Sequence, residues 1–108
     1  MPWLCRDGEV LASAEVADTR AARRRGLLGR DGAEGALVLK PARAVHSLGM
    51  RFDLDVAYLD ADGVVLDAHR LRRHRIALPR WRARSVVEAQ AGAFARWSIG
   101  PGDRLEVR

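Results

Sequence analysis

Residues 54–69 constrain this chain more than any other stretch. Leu54, Val56 and Tyr58 alternate with Asp55 and Ala57, the run Asp60-Ala61-Asp62-Gly63 turns the chain, and Val64, Leu66 and Ala68 then alternate with Val65, Asp67 and His69. A period of two is the pattern of a strand with one face against a core, and Asp-Gly at the bend supplies the positive φ that a tight hairpin needs. The expectation is a β-hairpin whose apolar residues, Val56, Tyr58 and Leu66 among them, point to a shared interior. A second such pair, Asp7-Gly8, separates residues 3–6 from residues 9–16 and predicts an opening hairpin of the same kind.

The remaining punctuation is also legible. Asp18 or Thr19 can accept a hydrogen bond from an otherwise orphaned backbone N–H, and the Ala-, Arg- and Leu-rich stretch that follows favours a helix through Leu28, stopped by Gly29. Gly26, Gly29, Gly32 and Gly35 recur every third residue, as in a phosphate cradle. They close a helix and precede a strand, the reverse of the order such a cradle requires, so they are expected to serve as cap and loop. A strand over residues 36–39 is halted by Pro41, which has no N–H for a ladder. Residues 86–90 read as a strand and 91–97 as a short helix with Phe94 and Trp97 inward. Gly100-Pro101-Gly102-Asp103 reads as a turn, and residues 104–107 as a closing strand with Leu105 and Val107 on one face. These elements predict one domain over residues 1–108, of α+β class: a single compact body, mainly an antiparallel, barrel-like β-sheet with one or two short helices.

Size and composition bound the rest. A chain of 108 residues, 48% of them hydrophobic, has enough apolar side chains for one core without disulfide staples. Cys5 is the only cysteine, which fits a reducing compartment and reads as a small core residue. No apolar run approaches the roughly 20 residues of a membrane span. Residues 1–7 lack the basic segment and long apolar stretch of a secretory signal, so a cytoplasmic location is expected. The formal charge of +5 invites a nucleic-acid partner. Yet Lys40 is the only lysine, Gln90 the only glutamine, and asparagine is absent, a bias that a GC-rich coding sequence produces regardless of function. Asp60-Ala61-Asp62-Gly63 resembles the opening of a calcium loop, but residues 64–71 do not supply its sixth-position glycine or closing glutamate. No metal site and no cofactor is expected.

Taken in order, several pieces form a pattern across residues 14–107. They are Thr19 through Arg25-Gly26-Leu27-Leu28-Gly29-Arg30, Gly35-Ala36-Leu37-Val38-Leu39, Leu54-Asp55-Val56-Ala57-Tyr58-Leu59-Asp60 with Asp62-Gly63, Val86-Val87-Glu88 with Ala91-Gly92, and Gly102-Asp103. In this order and spacing the chain resembles the domain-of-unknown-function 192 family of bacteria and archaea. Many members carry Trp-Met-Lys-Asn-Thr ahead of the Leu-Asp strand. Here His46-Ser47-Leu48-Gly49-Met50 stands there, a variant pattern continuing into Arg51-Phe52. The resemblance implies a compact α+β fold with a barrel-like sheet, and it carries over no catalytic residue and no cofactor.

Chemistry is expected at a polar cluster of His46, Arg51, Asp53, Asp55 and Glu88, joined by Trp81 as a wall of a ligand pocket. A histidine beside carboxylates can act as a base, and burial raises carboxylate pKa values toward a working range. The structural alternative is that Asp55 and Glu88 bond loop N–H groups and His46 is a satisfied structural residue. The leading reading is a non-enzymatic binding or accessory module for a small polar ligand or a protein segment, acting as a monomer or weak homodimer. A second is nucleic-acid binding through the acid-free segment 70–84, with Arg72, Arg73, Arg75, Arg80 and Arg82 around Trp81. The helix arginines Arg20, Arg23, Arg24 and Arg25 read as one solvent face. A third is a small hydrolase using His46 with Asp53 or Asp55.

Overall fold

Asp7 and Gly8 hold φ values of 51° and 82° and fold Trp3–Arg6 (β1) back onto Glu9–Ala17 (β2), the expected opening hairpin. The computed structural model describes residues 2–108. After β2, the Thr19 hydroxyl oxygen accepts the Ala22 N–H at 3.1 Å and caps Arg20–Arg25 (α1). The helix stops three residues before the expected Gly29, because Gly26 takes φ 50° and returns its N–H to the Ala22 carbonyl at 3.0 Å. The chain then re-enters the sheet as Ala36–Leu39 (β3), parallel to β2. Its continuation supplies Val45–His46 (β4), Leu54–Leu59 (β5), Val65–Leu71 (β6), Ile76–Ala77 (β7), Ser85–Gln90 (β8), Ala93–Trp97 (α2) and Leu105–Val107 (β9).

The main sheet runs β6-β5-β8-β3-β2-β1-β9, and β4 pairs with β7 in a separate ribbon. All pairings except β2 with β3 are antiparallel. The two edge strands approach at one corner, where Val64 bridges Arg104, the Val65 N–H reaches the Asp103 carbonyl at 2.8 Å and the Leu105 N–H reaches the Gly63 carbonyl at 2.9 Å. No ladder continues along β6 and β9 from there, so the sheet curls without closing into a barrel. Among the described residues no helix is long and apolar enough to cross a membrane.

The alternation of β5 separates two cores, where the pattern alone predicted a core and a solvent face. Every residue of β5 is buried. Leu54, Val56 and Tyr58 join Leu37, Leu39 and Val86 on one side, and Ala57 and Leu59 join Val38 and Val87 on the other, beneath Phe94 of α2. The partner strand departs from its expected phase. Tyr58 pairs with Asp67 but Leu59 pairs with Val65, leaving Leu66 as the extra residue of a β-bulge. Leu66, half-buried, packs against the first core with Val56 and Tyr58 as expected, but Val65 is fully buried in the second core and Asp67 shares the Tyr58 face. Cys5 is buried in β1.

Asp67 in turn anchors the basic segment. Arg80 donates from Nη2 to Asp67 Oδ2 at 2.8 Å and lays its guanidinium 4.7 Å from the centroid of the buried Tyr58 ring. Asp67 is held below the usual carboxylate range mainly by that hydrogen bond. Residues 75–84 are thereby fastened over the first core, where Ala83 and Ala77 are buried.

Gly63 sits where the two edges meet, at φ 84°, and a Cβ there would collide with the Leu105 carbonyl oxygen. Gly63→Ala is expected to cost about 2–4 kcal/mol from positive-φ strain and overpacking. Urea unfolding checks this, and Gly100→Ala, where a Cβ meets open space, serves as the control.

Candidate functional site

Register decides which of the expected site residues can meet. Glu88 lies opposite Val56 and Leu37, on the face of the first core, whereas Asp55 is one position out of phase on β5 and emerges on the second. There Asp55 Oδ2 accepts the N–H groups of Gly92 and Phe94 at 2.9 and 3.1 Å, and Oδ1 lies 3.4 Å from Arg70 Nε. Gly92 has no side chain with which to cap α2, and Asp55 supplies the missing acceptor across the sheet. Asp53 accepts the Arg73 backbone N–H at 2.9 Å, and Arg51 pairs with the exposed Asp31. Trp81 is 76% exposed and lines a shallow groove with Pro41, Ala42 and Pro79. The structure thus brings His46 and Glu88 to one cavity, which Arg51, Asp53, Asp55 and Trp81 do not line.

That cavity, of about 380 Å³, lies between α1 with its following turn, the segment leading into β4, and β8. Leu27, Leu39, Val45 and Met50 give it apolar walls, and Glu88 is the acid in its lining. Glu88 is 3% exposed, and its Oε2 has no hydrogen-bond partner among the described residues. Burial alone pushes its carboxyl up to about 7. Gly26 makes room for it, since a Cβ on Gly26 would stand 3.1 Å from Glu88 Oε2. His46 is exposed at the rim, where its Nδ1 accepts the Leu48 N–H at 3.1 Å. In the neutral ring this places the proton on Nε2.

The rim also carries residues to which sequence reasoning gave no ligand role. Arg20, Arg24 and Arg25 are exposed, as expected of a solvent face, and with the half-buried Arg23 they line this cavity together with Gly26. No residue of α1 is buried, so the helix stands over the sheet without filling the space above Glu88. The one available signal was an acid inside the apolar run Val86-Val87-Glu88-Ala89; nothing in the helix pattern pointed to its partners.

No hydrogen bond joins His46 to Asp53 or Asp55 among the described residues, both carboxylates being committed to backbone N–H groups. Of the arginines expected to meet nucleic acid, Arg80 is tied to Asp67 and Arg73 to Asp53, while Arg72, Arg75 and Arg82 are exposed. No three His, Cys, Asp or Glu side chains converge among the described residues as a metal site would require.

Comparison with known proteins places the whole chain in one group. The sequence profile of the DUF192 family, described as "Uncharacterized ACR", matches residues 3–107. A UPF0127 protein of Thermococcus gammatolerans is 33% identical over 97 residues, covering 84% of this chain and 63% of its own length. The chain thus spans less than two-thirds of that relative. A solved protein of unknown function from Novosphingobium aromaticivorans DSM 12444 superposes with a TM-score of 0.80 at 23% identity, over 97% of this chain and 82% of its own. A Sinorhizobium meliloti 1021 structure, described as a candidate transcription regulator, gives 0.80 at 21% identity, over 98% and 91%. Both structural likenesses are of fold.

The two buried carboxylates should behave oppositely when removed. Asp55→Ala orphans two helix N–H groups and is expected to cost about 2–3 kcal/mol in urea unfolding at pH 7. Glu88 has a folded-state pKa raised above its unfolded value, so its contribution is fullest below about pH 4.5 and is lost as pH rises through about 7. Glu88→Leu is therefore expected to exceed the parent in stability by on the order of 3 kcal/mol at pH 8, the gap narrowing toward pH 5. Paired urea titrations across that range check both the sign and the window.

Proposed function

We propose that this chain, which belongs to the domain-of-unknown-function 192 family, is a non-enzymatic binding module whose cavity over Glu88 takes a small polar ligand. One observation carries the reading: a glutamate only 3% exposed, with an unpartnered carboxyl oxygen, lines a cavity of ligand size. An unsatisfied buried acceptor is costly, and a fold that keeps one beside open volume is complete only when something donates to it. Apolar walls from Leu27, Leu39, Val45 and Met50 give that ligand a surface to cover.

A hydrolytic reading has a foothold in the same place, since a carboxyl titrating near 7 is suited to proton transfer. In that reading the carboxylate serving with His46 would be Glu88, in place of the Asp53 or Asp55 expected from sequence. The nucleic-acid reading retains Arg72, Arg75 and Arg82 beside the exposed Trp81. Binding to a labelled single strand that falls steeply with salt would support it, and no binding at 20 mM salt would remove it.

The test of the cavity reading is a fragment screen by NMR on isotope-labelled protein. Bound fragments are expected to shift the amides of Gly26, Leu27, Val45 and Glu88, and to lose affinity in Ala44→Trp, which blocks the rim at an exposed position. Hits that map only to Trp81 and Pro79, or none at millimolar concentration, would overturn it. Unaltered fragments in the spectra after long incubation favour binding; converted ones favour the hydrolase.

A further inference from the structure

We infer that the ligand of this cavity is a small hydroxycarboxylate, its hydroxyl received by Glu88 and its carboxylate held at the mouth by the arginines of α1 and by His46. The inference rests on the cavity reading above and deepens it by counting donors and acceptors.

The mouth carries only donors among its charged groups. Arg20, Arg23, Arg24 and Arg25 all line the cavity. Arg23 spends one guanidinium N–H on the Asp18 carbonyl at 2.7 Å, and none of the four forms an ion pair among the described residues. His46 adds an Nε2–H, because its Nδ1 is occupied by the Leu48 N–H. Guanidinium groups match a carboxylate through paired N–H donors, so an anion at this mouth has cationic partners on α1.

Glu88 imposes the complementary demand at the other end. It is the one carboxylate lining the cavity, and its oxygen needs a donor. An ammonium would add a further cation beneath a mouth already lined by four arginines that form no ion pair among the described residues, whereas a hydroxyl donates to Glu88 without adding charge. The charge balance thus selects a hydroxy acid over an amino acid, while the arginines select an acid over a neutral polyol. Between the two ends, Leu27, Leu39, Val45 and Met50 would cover the carbon chain.

Three matched series test this on the whole chain: ω-hydroxycarboxylates of three to six carbons, the same carboxylates without hydroxyl, and the corresponding diols. Affinities come from NMR titration at 20 mM salt and pH 8, where Glu88 is ionised. The hydroxy acid is expected to bind at least about tenfold more tightly than either truncated partner, the size of one hydrogen bond to a charged group. Glu88→Leu should erase its advantage over the plain carboxylate, and Arg24→Gln with Arg25→Gln its advantage over the diol. Added salt should weaken the hydroxy acid and leave the diol unchanged. A diol equal to the hydroxy acid overturns the role of the arginines, and a plain carboxylate equal to it overturns the role of Glu88. The matching amino acid binding more tightly overturns the choice of hydroxyl. In each of these three cases ligands still occupy the cavity and the broader reading stands. Absence of every series, together with an empty fragment screen, sinks both.

Discussion

Three adjacent strands of this protein, β5, β8 and β3, have almost no solvent face, and that constraint organises the rest. A strand covered on both sides has to be apolar at nearly every position, as Ala36-Leu37-Val38-Leu39 and Leu54 through Leu59 are. A polar side chain placed there is expensive unless the fold answers it. Two carboxylates occupy these strands, and the fold treats them differently. Asp55 receives two N–H groups of α2, so its burial positions a helix. Glu88 faces the other way, and its Oε2 meets no donor among the described residues.

The space above Glu88 exists because the elements over the first core are short and held apart from it. α1 ends at Gly26, where a side chain would crowd the carboxyl, and none of its residues is buried. Opposite, the β4–β7 ribbon is fastened by Arg80, which bonds Asp67 and covers Tyr58. Ser47 adds a second fastening by accepting the Arg75 N–H at 3.0 Å. On the second core Phe94 packs down from α2, and a further cavity of about 400 Å³ opens at its edge between Leu4, Val38, Leu59, Val87 and Leu105. Both faces therefore carry open volume, but the one on the first core lies against a buried acid with no donor among the described residues, a difference set by which element lands on which side.

Much of the fold could be read from residues near one another in the chain. Both hairpins follow from a period of two on either side of Asp-Gly, and α2 from its spacing of Phe94 and Trp97. The end of α1 was misplaced because Gly26 and Gly29 are equivalent as local signals, and only the proximity of Glu88 distinguishes them. Leu66 meets the core it was expected to face, but the phase of β6 beyond it was misread because a bulge there leaves no mark in an apolar run such as Val64-Val65-Leu66. The parallel pairing of β2 with β3 and the open corner at Val64 and Arg104 likewise depend on contacts far apart in sequence.

The sequence by itself determined where strands begin and turn, and that an acid would stand among the valines of β8, because propensity, turn chemistry and composition act over a few residues. Only the tertiary structure decided that Asp55 and Glu88 face opposite ways, that His46 and the α1 arginines share the Glu88 cavity, and that Trp81 stands apart. The physical reason is register. One residue of offset between paired strands moves a side chain to the other face of the sheet, and that offset is fixed by packing across the whole domain.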